Sequence, residues 1–344
     1  MFIVATTMLL SLNGCNKESK QTDNSIVKET NGVSATKDPL QDLSGKVVLT
    51  VNNQEISYDE LRIYMQSNKE EIESIYGADV WSMSINADGK SYEEMLKDAL
   101  LDELIYTKLV CSQAQALGIG LTEDELLDVD ELTAQFLSNF NEESMKYYSV
   151  NQDIVRQIYK DQMLANKVFE SLTLNVDTQV TDEEARQAVL QYILVAKYGY
   201  DQEGNSFEYN EEQLAEAKER AEELYTLAQT TSDFYNFALA NTDDEDEVEI
   251  IVGRGEMKKE LEDVAMKLIT GELSNVIETE DGYFIFYCVE EKNQEETDAR
   301  KEEIIRERQE AAFAERYQEW YDSKQVTINQ EIYNAISMVG EIVK

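Results

Sequence analysis

Asp233-Phe-Tyr-Asn-Phe-Ala-Leu-Ala-Asn-Thr-Asp-Asp244, then Gly253-Arg-Gly-Glu-Met257 through Lys258-Lys-Glu-Leu-Glu-Asp-Val-Ala-Met-Lys-Leu-Ile-Thr-Gly-Glu-Leu-Ser274, and finally Asp281-Gly-Tyr-Phe-Ile-Phe-Tyr-Cys-Val289, are the lines of sequence that decide the fold. Phe234, Phe237 and Ala238 recur at helical spacing, and Leu261, Val264, Ala265 and Leu268 do the same. Gly271 stands where a left-handed residue stops a helix, and Asp281-Gly282 predicts a tight turn into the β-rich run that follows. The order helix, acidic loop, strand, helix, strand predicts a small α+β domain.

These residues resemble the parvulin-type (PpiC) peptidyl-prolyl isomerase domain. That family is generally written D-F-x-x-L-A-x-x-x-S-D-D, then G-x-M-x-x-x-F-E-x-A-x-F-x-L-x-x-G-E-x-S, then T-x-x-G-Y-H-I. Its first strand, usually H-I-L-V, is similar to Tyr192-Ile-Leu-Val195, so the likeness runs from about Gln191 to Val289. The resemblance implies two histidines and a cysteine or aspartate beside an apolar proline pocket. Position by position, the first histidine falls on Tyr192, the acid on Asp244 and the second histidine on Phe284; the pocket methionine falls on Met257 and the pocket phenylalanine on Leu261. The chain contains no histidine at all. Phe284 carries no hydrogen-bonding group, and a Tyr192–Asp244 pair is a different network from the family's. Prolyl isomerisation needs no nucleophile; it needs the amide twisted and desolvated against a barrier of about 18–20 kcal/mol. With the histidines replaced, the sequence predicts a degenerate isomerase of little activity. Strand alternation equally explains Tyr192 and Phe284 as core residues.

Before this domain the chain reads as helical. Val47–Glu55 predicts a hairpin with an Asn52-Asn53 turn, Ser57 and Glu60 a capped helix, Ser91 the cap of a longer helix ended by Gly118, and Thr122 with Glu125 a second capping box. Helices follow to Leu137 and over Ile154–Leu172, and Thr181-Asp-Glu-Glu184 predicts a short one. Trp81 and Trp320 read as packing anchors. The region is similar to the N-terminal chaperone domain of the SurA and PrsA groups of secreted foldases. In those groups the chain after the isomerase domain returns to the N-terminal domain, so contacts between the first and last segments are expected here, with Val326-Thr-Ile328 as a short strand.

Phe2–Leu12 is apolar, too short to span a bilayer, and runs into Leu12-Asn-Gly-Cys15, which resembles a bacterial lipoprotein processing site. No lysine or arginine precedes it, a departure from that pattern that is expected only if the start lies upstream of Met1. The resemblance implies lipid on Cys15 and a place on the extracytoplasmic face of a bacterial cell membrane. The expected organisation is therefore signal peptide and lipobox at 1–15, flexible tether at 16–44, helical chaperone domain at 45–180, parvulin-like domain at 181–292, and C-terminal helices packing back at 293–344. The fold class is α+β: a mainly helical domain completed by the C-terminal helices, with an inserted domain built on a small antiparallel sheet.

The 344 residues carry 71 acidic against 30 basic side chains, a net charge of −41, which argues against nucleic acid as a partner. Cys111 and Cys288 lie in apolar patterns and predict buried free thiols, with no zinc ligand set. Asp243-Asp-Glu-Asp-Glu247 lacks a spaced calcium-loop frame and reads as a solvated loop, with no metal and no cofactor expected. Arg254 between two glycines reads as a turn. The expected partners are unfolded or partly folded secreted polypeptides, held by a membrane-anchored foldase. The alternatives are an active isomerase, or a structural lipoprotein that uses the parvulin fold to dock one folded partner.

Overall fold

The computed structural model describes residues 43–85, 89–201, 203–244 and 248–338. Cys15, the tether before Leu43, Asp88, and the acids Glu245, Asp246 and Glu247 lie outside the described residues. The chain forms two units, Met1–Asn175 with Ala312–Lys344, and Val176–Ala311.

The first unit opens with strands β1 (Val47–Val51) and β2 (Gln54–Ser57), joined at Asn52, whose φ of 46° is the left-handed value that asparagine tolerates. Helix α1 (Tyr58–Tyr76) is capped by Ser57 Oγ, which accepts the Glu60 N–H. The Glu60 carboxylate does not complete the expected capping box. It turns inward and, with Asp161, grips Lys108 Nζ at 2.7 Å each. Burial alone would lower the Lys108 ammonium, but the two carboxylates outweigh it and hold it above its usual value. Capping boxes do form at the N-termini of α2 (Tyr92–Ala114), between Ser91 and Glu94, and α3 (Glu123–Leu137), between Thr122 and Glu125. Short α4 (Glu142–Tyr147) and long α5 (Gln152–Thr173) follow, and the faces of α1, α2 and α5 close over Leu61, Leu100, Leu104, Leu109 and Ile158. Trp81 is buried against Tyr92, as an anchor.

The second unit contains β3 (Ala188–Ala196), a hairpin of β4 (Tyr198–Tyr200) and β5 (Ser206–Glu208), α6 (Glu211–Ala228), α7 (Phe234–Asn241), β6 (Glu249–Val252), α8 (Lys259–Ala265), β7 (Ile277–Glu278), β8 (Gly282–Glu290) and the start of α9 (Gln294–Ser323). Its antiparallel sheet has the order β6-β3-β8-β7. β3 is central and buried along its whole length, which is why Ala-Val-Leu-Gln-Tyr-Ile-Leu-Val-Ala is nearly continuous in apolar residues. One sheet face (Leu190, Tyr192, Leu194, Phe286, Cys288) packs on Leu261 and Ala265 of α8. The other (Ile193, Val195, Tyr283, Ile285) packs on Ala221 and Leu224 of α6 and Phe234 and Ala238 of α7.

Two local expectations are corrected here. Thr181–Glu184 makes a single turn in which Thr181 Oγ1 accepts the Glu184 N–H, and no helix continues from it. Helix α8 ends at Ala265, six residues before Gly271; that glycine, at φ 86°, instead aims its N–H at Cys288 O, 2.8 Å away.

From Ala312 the chain belongs to the first unit again. Phe313 and Tyr317 of α9 pack on Tyr106, and Phe313 also on Phe169. β9 (Val326–Ile328) then pairs with β1, Leu49 opposite Ile328, to give the sheet order β2-β1-β9, and α10 (Gln330–Ala335) follows. The contacts expected between first and last segments are these, joined by Lys97 Nζ, which donates to Ile336 O at 3.1 Å. The α+β class is as expected, with a helical unit and a small antiparallel sheet flanked by helices.

Candidate peptide-binding site

The half of β3 beyond its pairing with β6 fixes the candidate site. Tyr192 N–H donates to Val248 O (2.9 Å), Leu194 N–H to Thr242 Oγ1 (3.1 Å) and Ala196 N–H to Asp243 Oδ2 (3.0 Å), while Asp243 N–H returns to Leu194 O (2.8 Å). Arg220 donates to both carboxylate oxygens of Asp243 and to Asn241 O. Asp243 is thus committed to holding the loop, and the next residue is delivered to the strand face: Tyr192 Oη donates to Asp244 Oδ2 at 2.7 Å.

Of the five sequence-predicted pocket residues, Tyr192 and Asp244 meet directly. Leu261 is buried in the same cluster as Tyr192, and Met257 and Phe284 pack half-buried at its margin. The Tyr192 and Phe284 ring centroids are 6.3 Å apart, and Phe286 lies 6.4 Å from Tyr192 and 6.2 Å from Phe284. The result is an aromatic floor with one hydroxyl–carboxylate pair at its edge. It can desolvate an apolar ring and offer a single polar contact to an amide, but no imidazole stands beside it.

Several family-pattern residues are structural in this chain. Ser274 Oγ accepts the Phe286 N–H and Ser274 N–H donates to Phe286 O, both at 2.8 Å, so the G-E-x-S segment pairs with β8. A Cβ at Gly282 would lie 2.4 Å from Val195 O, so this glycine serves close approach of β8 to β3 and not a positive φ. Gly253 faces the end of the Gln187 side chain, which can give way, and Arg254 pairs with Glu183. The thiols of Cys111 and Cys288 are free, and burial pushes them up to about 12 and about 11, which keeps them protonated and inert.

The β4–β5 hairpin, close to Asp244, is not part of the family pattern. Its signal is in the sequence, Tyr198-Gly-Tyr200 and Phe207-Glu-Tyr209 alternating on either side of Asp201–Asn205, with Gly204 at φ 82°. Lys197, just before it, bonds Glu278 and Thr279 O and lies over the Tyr283 ring at 4.7 Å, anchoring the hairpin to the sheet.

Comparison with known proteins agrees with both halves of this architecture. The PPIC-type PPIASE domain matches residues 203–290, which include Asp244, Met257, Leu261 and Phe284 and begin after Tyr192; the SurA-like N-terminal domain matches residues 33–149. The Foldase protein PrsA of Caldanaerobacter subterraneus subsp. tengcongensis is 28% identical over 253 residues, covering 71% of this chain and 73% of that protein. The Foldase protein PrsA of Clostridium acetobutylicum is 22% identical over 319 residues, covering 87% and 93%. The crystal structure of Peptidylprolyl Isomerase (PrsA) from Bacillus cereus aligns at 21% identity over 70% of this chain and 90% of that one, with a TM-score of 0.34. The chain thus carries a SurA-like N-terminal domain followed by a PPIC-type PPIASE domain, and in that it is similar to the PrsA foldases.

Proposed function

We infer that this foldase acts outside the cytoplasm, held to the membrane by lipid on Cys15, and that it retains unfolded secreted polypeptides more than it isomerises them. Its PPIC-type domain takes proline-containing segments on the surface formed by Tyr192, Asp244, Met257, Leu261 and Phe284. The observation that carries this reading is the 2.7 Å bond from Tyr192 to Asp244 set against an apolar floor of Tyr192, Phe284 and Phe286 with Leu261 and Met257. The apolar floor favours a pyrrolidine ring over water. A bound X-Pro amide is partly desolvated there, and desolvation lowers the barrier to rotation. Among the described residues of the site, the Tyr192 hydroxyl already donates to Asp244 and Phe284 has no polar group, so neither strengthens a bond as the amide twists. The same chemistry predicts binding with slow turnover. Among the described residues no helix is long and apolar enough to cross a membrane, so anchoring rests on Cys15 in this reading.

The test uses the chain lacking residues 1–15. Two-dimensional exchange NMR on a panel of X-Pro peptides is expected to show binding with less than about tenfold acceleration over the slow uncatalysed exchange. Met257→Ala is expected to weaken that binding, and the protein is expected to suppress aggregation of a reduced, unfolded client. Strong acceleration abolished by Met257→Ala would replace this reading with that of a working isomerase. Absence of both peptide binding and aggregation suppression would remove it altogether.

A further inference from the structure

Antiparallel pairing sorts the hairpin side chains onto two faces. Tyr198 pairs with Glu208 and Tyr200 with Ser206, so these four share one face, while Phe207, opposite Gly199, packs across that glycine on the other. β4 leaves β3 through a bend at Lys197 into a separate two-stranded sheet, and its first residue, Tyr198, lies near the Asp244 carboxylate that Tyr192 meets. Electrostatics agree: burial first, then Tyr200 and the carboxylates of Asp244 and Asp281, push the Tyr198 phenol above its usual value. The Tyr198 and Tyr200 rings meet at 89° with centroids 5.8 Å apart, two walls of a corner, and Tyr200 is 64% exposed. Exposed Glu208 has no partner among the described residues. The nearby cations are otherwise engaged, Lys258 by Asp281 and Lys197 by Glu278, so they do not fill the corner.

We propose that this corner, Tyr198 and Tyr200 with Glu208, is a second subsite that receives a lysine or arginine side chain of the bound polypeptide, within about six residues of the proline held at Tyr192 and Asp244. The proposal rests on the reading of the Tyr192–Asp244 surface as a proline site. Perpendicular aromatic faces present negative quadrupole on two sides of a cation, and a carboxylate on the same face supplies the countercharge. The spacing is bounded by chain reach: six residues separate Tyr192 from Tyr198 through the bend at Lys197, so an extended client spans the distance with six residues at most. The specificity that results is for basic, proline-containing segments, on a protein whose net charge of −41 already concentrates them.

The test is affinity, by fluorescence anisotropy or calorimetry, for extended peptides with one proline and a single Lys, Gln or Glu placed three to six residues to either side. The wild-type chain is expected to bind the best Lys peptide about three- to tenfold tighter than its Gln counterpart. Tyr200→Leu and Glu208→Gln, both at exposed positions, are each expected to bring that ratio toward one while leaving the Gln peptide unchanged. A wild-type ratio of one overturns the subsite. So does a preference for Lys that survives both substitutions, since that preference would then belong to the general acidic field. If no peptide of the panel binds, the proline-site reading falls and this inference with it; if all bind alike, only the inference falls.

Discussion

At the scale of single residues, the candidate site turns on which side chains hold hydrogen-bonding capacity. Tyr192→Phe keeps the ring contacts with Phe284 and Phe286 and removes only the hydroxyl that meets Asp244. It is expected to cost about 1 kcal/mol of stability, read from denaturant midpoints, and to lower whatever exchange acceleration the protein has. Phe284→His returns a polar ring to the position beside Tyr192, and a rise of about tenfold or more in X-Pro exchange is expected, since positioned acid–base groups contribute at least that much elsewhere. An unchanged rate in a folded variant would show that histidine at this position is not what limits the reaction. Away from the site, Glu103 on α2 is pushed up by burial to about 7. Its folded-state value lies above its unfolded one, so it opposes folding once ionised: stability falls as pH rises from about 4.5 to about 7 and stays lower above that. Glu103→Gln is therefore expected to raise the melting temperature at pH 8 and to leave it unchanged at pH 4.

At the scale of elements, β3 and β8 carry the second unit. Their pairing requires Gly282 opposite Ala196, where a methyl group would press on Val195 O. Gly282→Ala is expected to destabilise this unit by about 3 kcal/mol, measured by amide exchange on β3 and β8. The same elements show what could be read in advance. The periodicity of Leu261, Val264 and Ala265 and the Ser91 and Thr122 caps follow from spacing and side-chain chemistry, the Tyr192–Val195 strand from the family resemblance, and all appear where the sequence puts them. The proximity of Tyr192 to Asp244 was legible only through the family resemblance, because a bond across 52 residues depends on how the loop after α7 lies along the β3 edge. Glu60 was misread as the far half of a capping box because its true partner, Lys108, stands on another helix. Gly271 was misread as a helix stop because the turn after Met266 leaves no periodic signature. The α6 helix and the β4–β5 hairpin lie outside the family pattern, although their caps and alternation are present in the sequence.

At the scale of the whole molecule, the first unit is assembled from the two ends of the described chain. β9 covers the edge of β1, and Phe313 and Tyr317 fill the core beside Tyr106. Losing two buried aromatics at about 3–5 kcal/mol each is comparable with the entire stability of a domain. A chain ending at Ala311 is expected to lose amide protection in α2 and α5 while keeping it in β3 and β8, as two-dimensional NMR would show. Protection retained throughout would mean that the tail only decorates a unit complete without it.

The β1–β9 pairing also sets a timetable. A polypeptide emerging amino-terminus first, from a ribosome or across a membrane, presents β1 early and β9 only after all of Val176–Ala311 has passed. The continuous second unit can close as soon as it is out, whereas the first must wait with the apolar faces of α2 and α5 uncovered until the last strand arrives. The first unit thus passes its own synthesis as an open, apolar chain, the kind of polypeptide that the proposed function has it retain.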